Sequence, residues 1–174
     1  MKFLIYTRPR LSSFFHALAE KMDVVSEIKF CSDHKGLEEI SLMDHMYQAM
    51  KDIDKGTPVP KDIPYDNIQT RCRYLRHLEP DLAHRIIDGM WLGIERICDE
   101  HRPDYFFGMV MDSYVLDIID RVMRRRNSQY LGFVNNMING YSRLTSRGEL
   151  IRIRETNDFE VNDVVTDLQK RTYM

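Results

Sequence analysis

Four short apolar runs decide what this chain can fold into: residues 2–7 (KFLIYT), 24–31 (VVSEIKFC), 104–111 (DYFFGMVM) and 129–135 (QYLGFVN). Each is too short for an ordinary helix, rich in β-branched or aromatic residues, and bounded by charged or turn-forming residues. Each therefore reads as a buried strand. Helical periodicity fills the gaps. Phe14, Phe15, Leu18, Ala19 and Met22 recur on one helical face behind Ser12 and Ser13, whose hydroxyls are candidate N-caps. Val115, Ile118, Ile119 and Val122 do the same over residues 114–126. Strand, helix and strand in close succession form the βαβ unit of a parallel sheet.

Residues 37–101 break this rhythm. They are helical in pattern, interrupted at 55–61 (KGTPVPK), and the stretch 67–100 is either one long helix or two that meet near Glu79-Pro80-Asp81. Beyond the fourth strand, residues 149–154 (ELIRIR) alternate like an edge strand, and 163–171 begin another helical pattern. The expected fold is α/β: an open, parallel, Rossmann-like sheet with helices on both faces and a helical insertion between strands two and three. A length of 174 residues suits a single domain over 1–174.

Composition excludes several classes. With 43% apolar and 30% charged residues the chain is globular, and a net charge of −2 supplies no basic field for nucleic acid. No apolar run reaches the length of a membrane span, and MKFLIYTRPR is too short in its apolar part for a signal peptide. Cys31, Cys72 and Cys98 form an odd count without a CxxC pair, which argues against zinc and for a reducing compartment. The cytoplasm is the expected location.

In an open parallel sheet, ligands bind outside the carboxyl ends of the strands. Here all four ends are polar: Thr7-Arg8, Ser32-Asp33-His34, Met111-Asp112-Ser113 and Asn135-Asn136. Arg8 and Arg10 precede a helix N-terminus, where amides and dipole favour a phosphate or sugar acid, or else they are solvated loop charges; Arg8, Ser12 and Ser13 are the candidate acceptor or phosphate contacts there. Asp112 is the candidate catalytic base, or else an N-cap, and Ser113 follows it; His34 is an acid/base candidate beside Asp33. The loop after the fourth strand offers a donor-rich surface. Asn139-Gly140 marks a turn, and Tyr141, Ser142, Arg143, Thr145, Arg147 and Glu149 present a phenol, hydroxyls, guanidiniums and a carboxylate suited to a polyhydroxylated ligand. An alternative is that this segment packs across the sheet edge. Neither GxGxxG nor GxxxxGK[ST] occurs, so the dinucleotide and P-loop readings have no motif, and the histidines lack metal-ligand spacing. Arg124-Arg125-Arg126 ends a helix and reads as structural.

The segment DSYVLDIIDRVMRRRNSQYLGFVNNMINGYSRLTSRGEL, above all its N-G-Y-S-R-x-T-x-R-G-E run at residues 139–149, resembles the N-terminal region of bacterial capsule and surface-polysaccharide biosynthesis proteins with glycosyltransferase-B-like architecture. The opening MKFLIYTRPR is similar to their first strand and loop. The resemblance implies two Rossmann-like halves flanking a cleft. The N-terminal half contacts the acceptor and supplies a base, and the C-terminal half holds a nucleotide-sugar donor. This chain carries one half and no cofactor of its own, so it is expected to be inactive alone if it belongs to a longer enzyme. Implied partners are a sugar or nucleotide-sugar and, peripherally, membrane assembly machinery. Two other readings remain: a nucleotide-sugar epimerase of similar two-domain shape, and a non-catalytic binding or assembly module docking through residues 37–101.

Overall fold

The computed structural model describes residues 1–23, 26–135, 142–146, 151–152, 161–163, 165–166 and 170; for Asn135, Ile151 and Arg152 only the backbone is described. Strand β1 (Lys2–Tyr6) leads into helix α1 (Ser12–Ala19) and strand β2 (Glu27–Ser32). A two-residue strand, β3 (Ile40–Ser41), runs directly into α2 (Leu42–Asp54), where the Ser41 hydroxyl caps the helix by accepting from the Asp44 amide at 3.2 Å. Then come α3 (Tyr65–Arg71), one 3₁₀ turn at Leu75–His77 and α4 (Pro80–His101). The series closes with β4 (Tyr105–Gly108), α5 (Tyr114–Arg125), β5 (Gln129–Asn135), β6 (Ser142–Ser146) and β7 (Ile151–Arg152). Of the two readings of residues 67–100, the structure takes the second. Pro80 opens α4, where its missing N–H costs nothing.

The sheet has seven strands in the order β3-β2-β1-β4-β5-β6-β7. The first five are parallel, with Phe3 opposite Ile28 on one side and Tyr105 on the other. The last two are antiparallel. This is the expected Rossmann-like open sheet. Side chains alternate across it. Phe3, Ile5 and Phe107 face α1, where they pack with Phe15. Leu4, Tyr6, Phe106 and Tyr130 face the opposite side and join a larger core made by α2, α3, α4 and α5. Helices therefore lie on both faces, unequally: among the described residues the eight-residue α1 packs on one and α2, α3, α4 and α5 on the other.

The helical insertion is built on α4, whose inner face buries Ile87, Met90, Trp91, Ile94 and Ile97. Helix α2 approaches it closely because Gly89 and Gly93, one turn apart, present no side chain. A Cβ at Gly93 would lie 3.0 Å from the His45 carbonyl carbon and 3.0 Å from the Met46 nitrogen, both backbone atoms. Trp91 is pinned at its rim, with Nε1 donating to Glu95 at 3.0 Å and the Arg125 guanidinium 4.5 Å from its ring centroid. Among the described residues, no helix is long and apolar enough to cross a membrane, and no cluster of metal-ligating side chains occurs. All three cysteines are buried free thiols.

Three expectations need correction. The loop expected over residues 139–149 contains a strand: β6 pairs antiparallel with β5, from Asn135 opposite Ser142 to Leu131 opposite Ser146. Thr145 lies inside the sheet, 1% exposed, its hydroxyl donating to the Gly132 carbonyl at 3.2 Å. A β-branched residue flanked by Leu144 on a period-2 pattern was the strand signal, masked by the neighbouring asparagines and glycines. Second, the strand expected over 104–111 ends at Gly108, and Met109 to Ser113 form the turn into α5. Third, Ser12 and Ser13 do not cap α1. The N-cap position is Leu11, without a side-chain cap. Ser12 already lies within the helix and turns its hydroxyl to Glu38.

Candidate functional site

Chain connectivity alone singles out one place on the sheet. After β1 the chain moves to β2, and after β4 it moves the other way to β5, although β1 and β4 are paired neighbours. Their carboxyl ends therefore flank the topological switch point, where departing loops diverge and leave a crevice.

Two of the residues expected there meet across it. The Arg8 guanidinium donates from both terminal nitrogens to the Asp112 carboxylate, at 2.6 and 2.8 Å. Its Nε donates to the Tyr6 hydroxyl at 3.0 Å. This two-pronged geometry fixes both side chains. It also changes what each can do. Arg8 is no longer a vacant cation awaiting phosphate, and its pKa is raised first by the hydrogen bonds to Asp112, against the opposing effect of burial. Asp112 is a strut between two strands, not a helix cap. The side chains remain 30% and 48% exposed, so the pair is reachable from solvent. Tyr6 lies beneath, fully buried. Burial pushes its phenol up, the Arg8 hydrogen bond opposes that, and the charge of Asp33 adds to it.

Next to this pair, at the start of α1, lies a second cluster built on a residue that sequence reasoning missed. Glu38 is 5% exposed at its side chain. One oxygen accepts from Thr7 and from Ser12, each at 2.6 Å, and the other contacts His16 Nε2 at 3.0 Å. Burial alone would raise this carboxyl; the hydrogen bonds from Ser12, Thr7 and His16 together outweigh it, and the pKa is lowered. His16 in turn stacks on Phe30, with ring centroids 3.7 Å apart. Glu38 sits in a run, Leu37-Glu38-Glu39, that reads as a solvated helix start. Only the return of the chain from β2 brings it under α1.

The remaining expected residues scatter. Ser32, buried, donates to the Thr7 carbonyl and accepts from the His34 amide, so the β2 end is locked to the β1 end. His34 itself is exposed beside it, and Ser13 is exposed on α1. Ser113 occupies the N-cap position of α5, yet its side chain makes no cap bond. Ser142 and Arg143 are exposed on β6, and Arg143 lies opposite Val134. Asn136, Asn139, Gly140, Tyr141, Arg147 and Glu149 lie outside the described residues, as does the side chain of Asn135. The three arginines ending α5 are structural as expected. Arg124 pairs with buried Asp120, Arg125 with Asp62 and Arg126 with Asp99, at 2.7, 2.5 and 2.6 Å.

The edge thus carries carboxylates at Asp33, Glu38 and Asp112 among the cations Arg8, Arg10, Lys35 and Arg71, and Arg8 is already paired. Of these carboxylates Asp112 is half exposed and can accept from a ligand hydroxyl, whereas Glu38 is buried with both oxygens engaged. No protein-family model, curated protein or solved structure matches this chain.

Proposed function

We propose that this chain is the acceptor-side domain of a glycosyltransferase-like protein of bacterial surface-polysaccharide biosynthesis, and that it binds a hydroxyl-rich saccharide at the switch point between β1 and β4. The observation that carries the reading is the Arg8–Asp112 pair. It spans the crevice, neutralises Arg8, and leaves an exposed carboxylate where a ligand hydroxyl can reach it. The saccharide class comes from the resemblance of residues 139–149 to those biosynthesis proteins.

On this reading Asp112 accepts a hydrogen bond from an acceptor hydroxyl. To take the proton, it must give up one of its bonds to Arg8, so Arg8 positions the carboxylate and Asp112 does the chemistry. A nucleotide-sugar donor is held by a second α/β half.

Calorimetric titration tests this with an acidic capsule-type oligosaccharide, a neutral one and a nucleotide-sugar. The neutral oligosaccharide is expected to bind. Arg8→Ala and Asp112→Ala are each expected to weaken it about tenfold, the scale of one charge-assisted hydrogen bond. Because the Asp112 side chain is half exposed, Asp112→Ala should keep its melting temperature within about 4 °C of the parent. Tight nucleotide-sugar binding, with neither oligosaccharide bound, would contradict the acceptor-side assignment.

A further inference from the structure

Directly behind Asp112, α3 of the helical insertion and the start of α5 enclose a pocket of about 130 Å³. Its mouth is marked by the exposed residues Arg71 and Asp112, and its floor by the buried residues Ile68, Cys72 and Asp117. Ser113, the N-cap residue of α5, and Asp117, in its first turn, both line the pocket.

Two polar atoms lining this pocket are buried without a hydrogen-bond partner among the described residues: the Ser113 hydroxyl and one oxygen of the Asp117 carboxylate, Oδ1. Asp117 is 3% exposed. Arg121 Nε lies 3.2 Å from that oxygen, close enough for charge attraction but without hydrogen-bond alignment, and Arg121 instead donates to the second oxygen, also at 3.2 Å. Native proteins rarely leave such atoms unmet, and when they do a water, ion or ligand group usually meets them. One water takes up roughly 30 Å³ of liquid, so this space exceeds what a single bridging water needs.

From this juxtaposition we propose that the pocket behind Asp112 is a subsite for the hydroxymethyl group of a hexose, recognised by Ser113 and Asp117. A primary hydroxyl is the complementary group: it donates to Asp117 Oδ1 and accepts from the Ser113 hydroxyl in one placement. Its methylene carbon meets the apolar wall of Ile68 and Met111. The ring that bears it then lies at the mouth, against Asp112. This assignment rests on the reading of the carboxyl edge as a saccharide site. It gives the helical insertion a role, because α3 supplies the apolar wall at Ile68 against which the methylene carbon packs.

Methyl hexopyranosides of gluco, galacto and manno configuration, each paired with its 6-deoxy counterpart, test the assignment by ligand-observed NMR titration. The parent protein is expected to bind at least one hexoside about tenfold more tightly than its 6-deoxy partner, the discrimination expected from losing a hydrogen bond to buried groups. Ser113→Ala is expected to shrink that ratio to about twofold while leaving the melting temperature unchanged or slightly raised, since it removes an unpaired buried hydroxyl. A merely structural Ser113 would move the melting temperature and leave the ratio intact. Equal affinities within every pair, with binding still weakened about tenfold in Asp112→Ala, would overturn the subsite and leave the saccharide site standing. Binding by none of the sugars would overturn both.

Discussion

Gly93→Val is expected to destabilise the protein by about 3 kcal/mol, at the upper end of what overpacking a tight helix contact costs. The reason is local. The atoms that a Cβ would meet are the His45 carbonyl carbon and the Met46 amide nitrogen, and backbone cannot rotate aside as a side chain can. Helices α2 and α4 must separate, and α4 carries Trp91, Met90 and Ile94 in the main core. At Gly89 the nearest atom belongs to the flexible Met50 side chain, which can move, and the nearest backbone atom, the Met46 carbonyl oxygen, is farther off at 3.2 Å, so Gly89→Val should cost less. Thermal unfolding of both variants checks this. A fall of roughly 10 °C is expected for Gly93→Val in a chain of this size, and equal falls for the two would mean that backbone contact is not what makes position 93 special.

Glu38→Ala should be nearly as damaging, again about 3 kcal/mol, and unlike Gly93→Val it should reach the ligand edge. Removing the carboxylate strips the partner from the Thr7 hydroxyl, which is wholly buried, and from Ser12 and His16. Hydrogen bonds to a charged acceptor, followed by an orphaned buried donor, account for that magnitude. The pH dependence has a definite sign. The Glu38 carboxyl is held below its ordinary value by those hydrogen bonds, despite burial acting the other way. Its contribution is therefore fully present above the ordinary value of 4.5 and is lost as pH falls through the lower, folded-state value. Glu38→Gln removes the titration while keeping the shape. The stability gap between parent and Glu38→Gln should close as pH falls below about 4.5. A gap that widens in acid would show that Glu38 is not stabilised as the anion.

How much of this could be read from the chain follows from the range of each interaction. The strands at β1 and β5 and the helix at α5 were legible because their cause is local: apolar runs of strand length, and Val115, Ile118, Ile119 and Val122 at helical spacing. The carboxyl edge was legible one step later, because parallel topology places the residues after each strand together. Arg8 and Asp112 are both there. Their pairing was not legible, since no periodicity links residues 104 positions apart. Glu38 escaped for the same reason, and so did the glycine contact of α2 with α4. The β6 strand escaped for a different one. Its pairing with β5 is written in Leu144 and Thr145, but the turn residues on either side dominated the local signal. The orphaned Ser113 hydroxyl had a plausible local partner in the α5 amides, and only the three-dimensional arrangement shows that it does not use it.

Saccharide binding at the carboxyl edge between β1 and β4 is tested most directly by amide chemical-shift mapping with a surface-polysaccharide oligosaccharide. The expected perturbations centre on Thr7, Arg8, Ser12, Asp112 and Ser113. The opposite edge of the sheet offers a natural control, because Arg102, Asp104, Arg126 and Ser128 line a second, polar pocket there. Perturbations centred on those residues, with Arg8 and Asp112 silent, would contradict saccharide binding between β1 and β4.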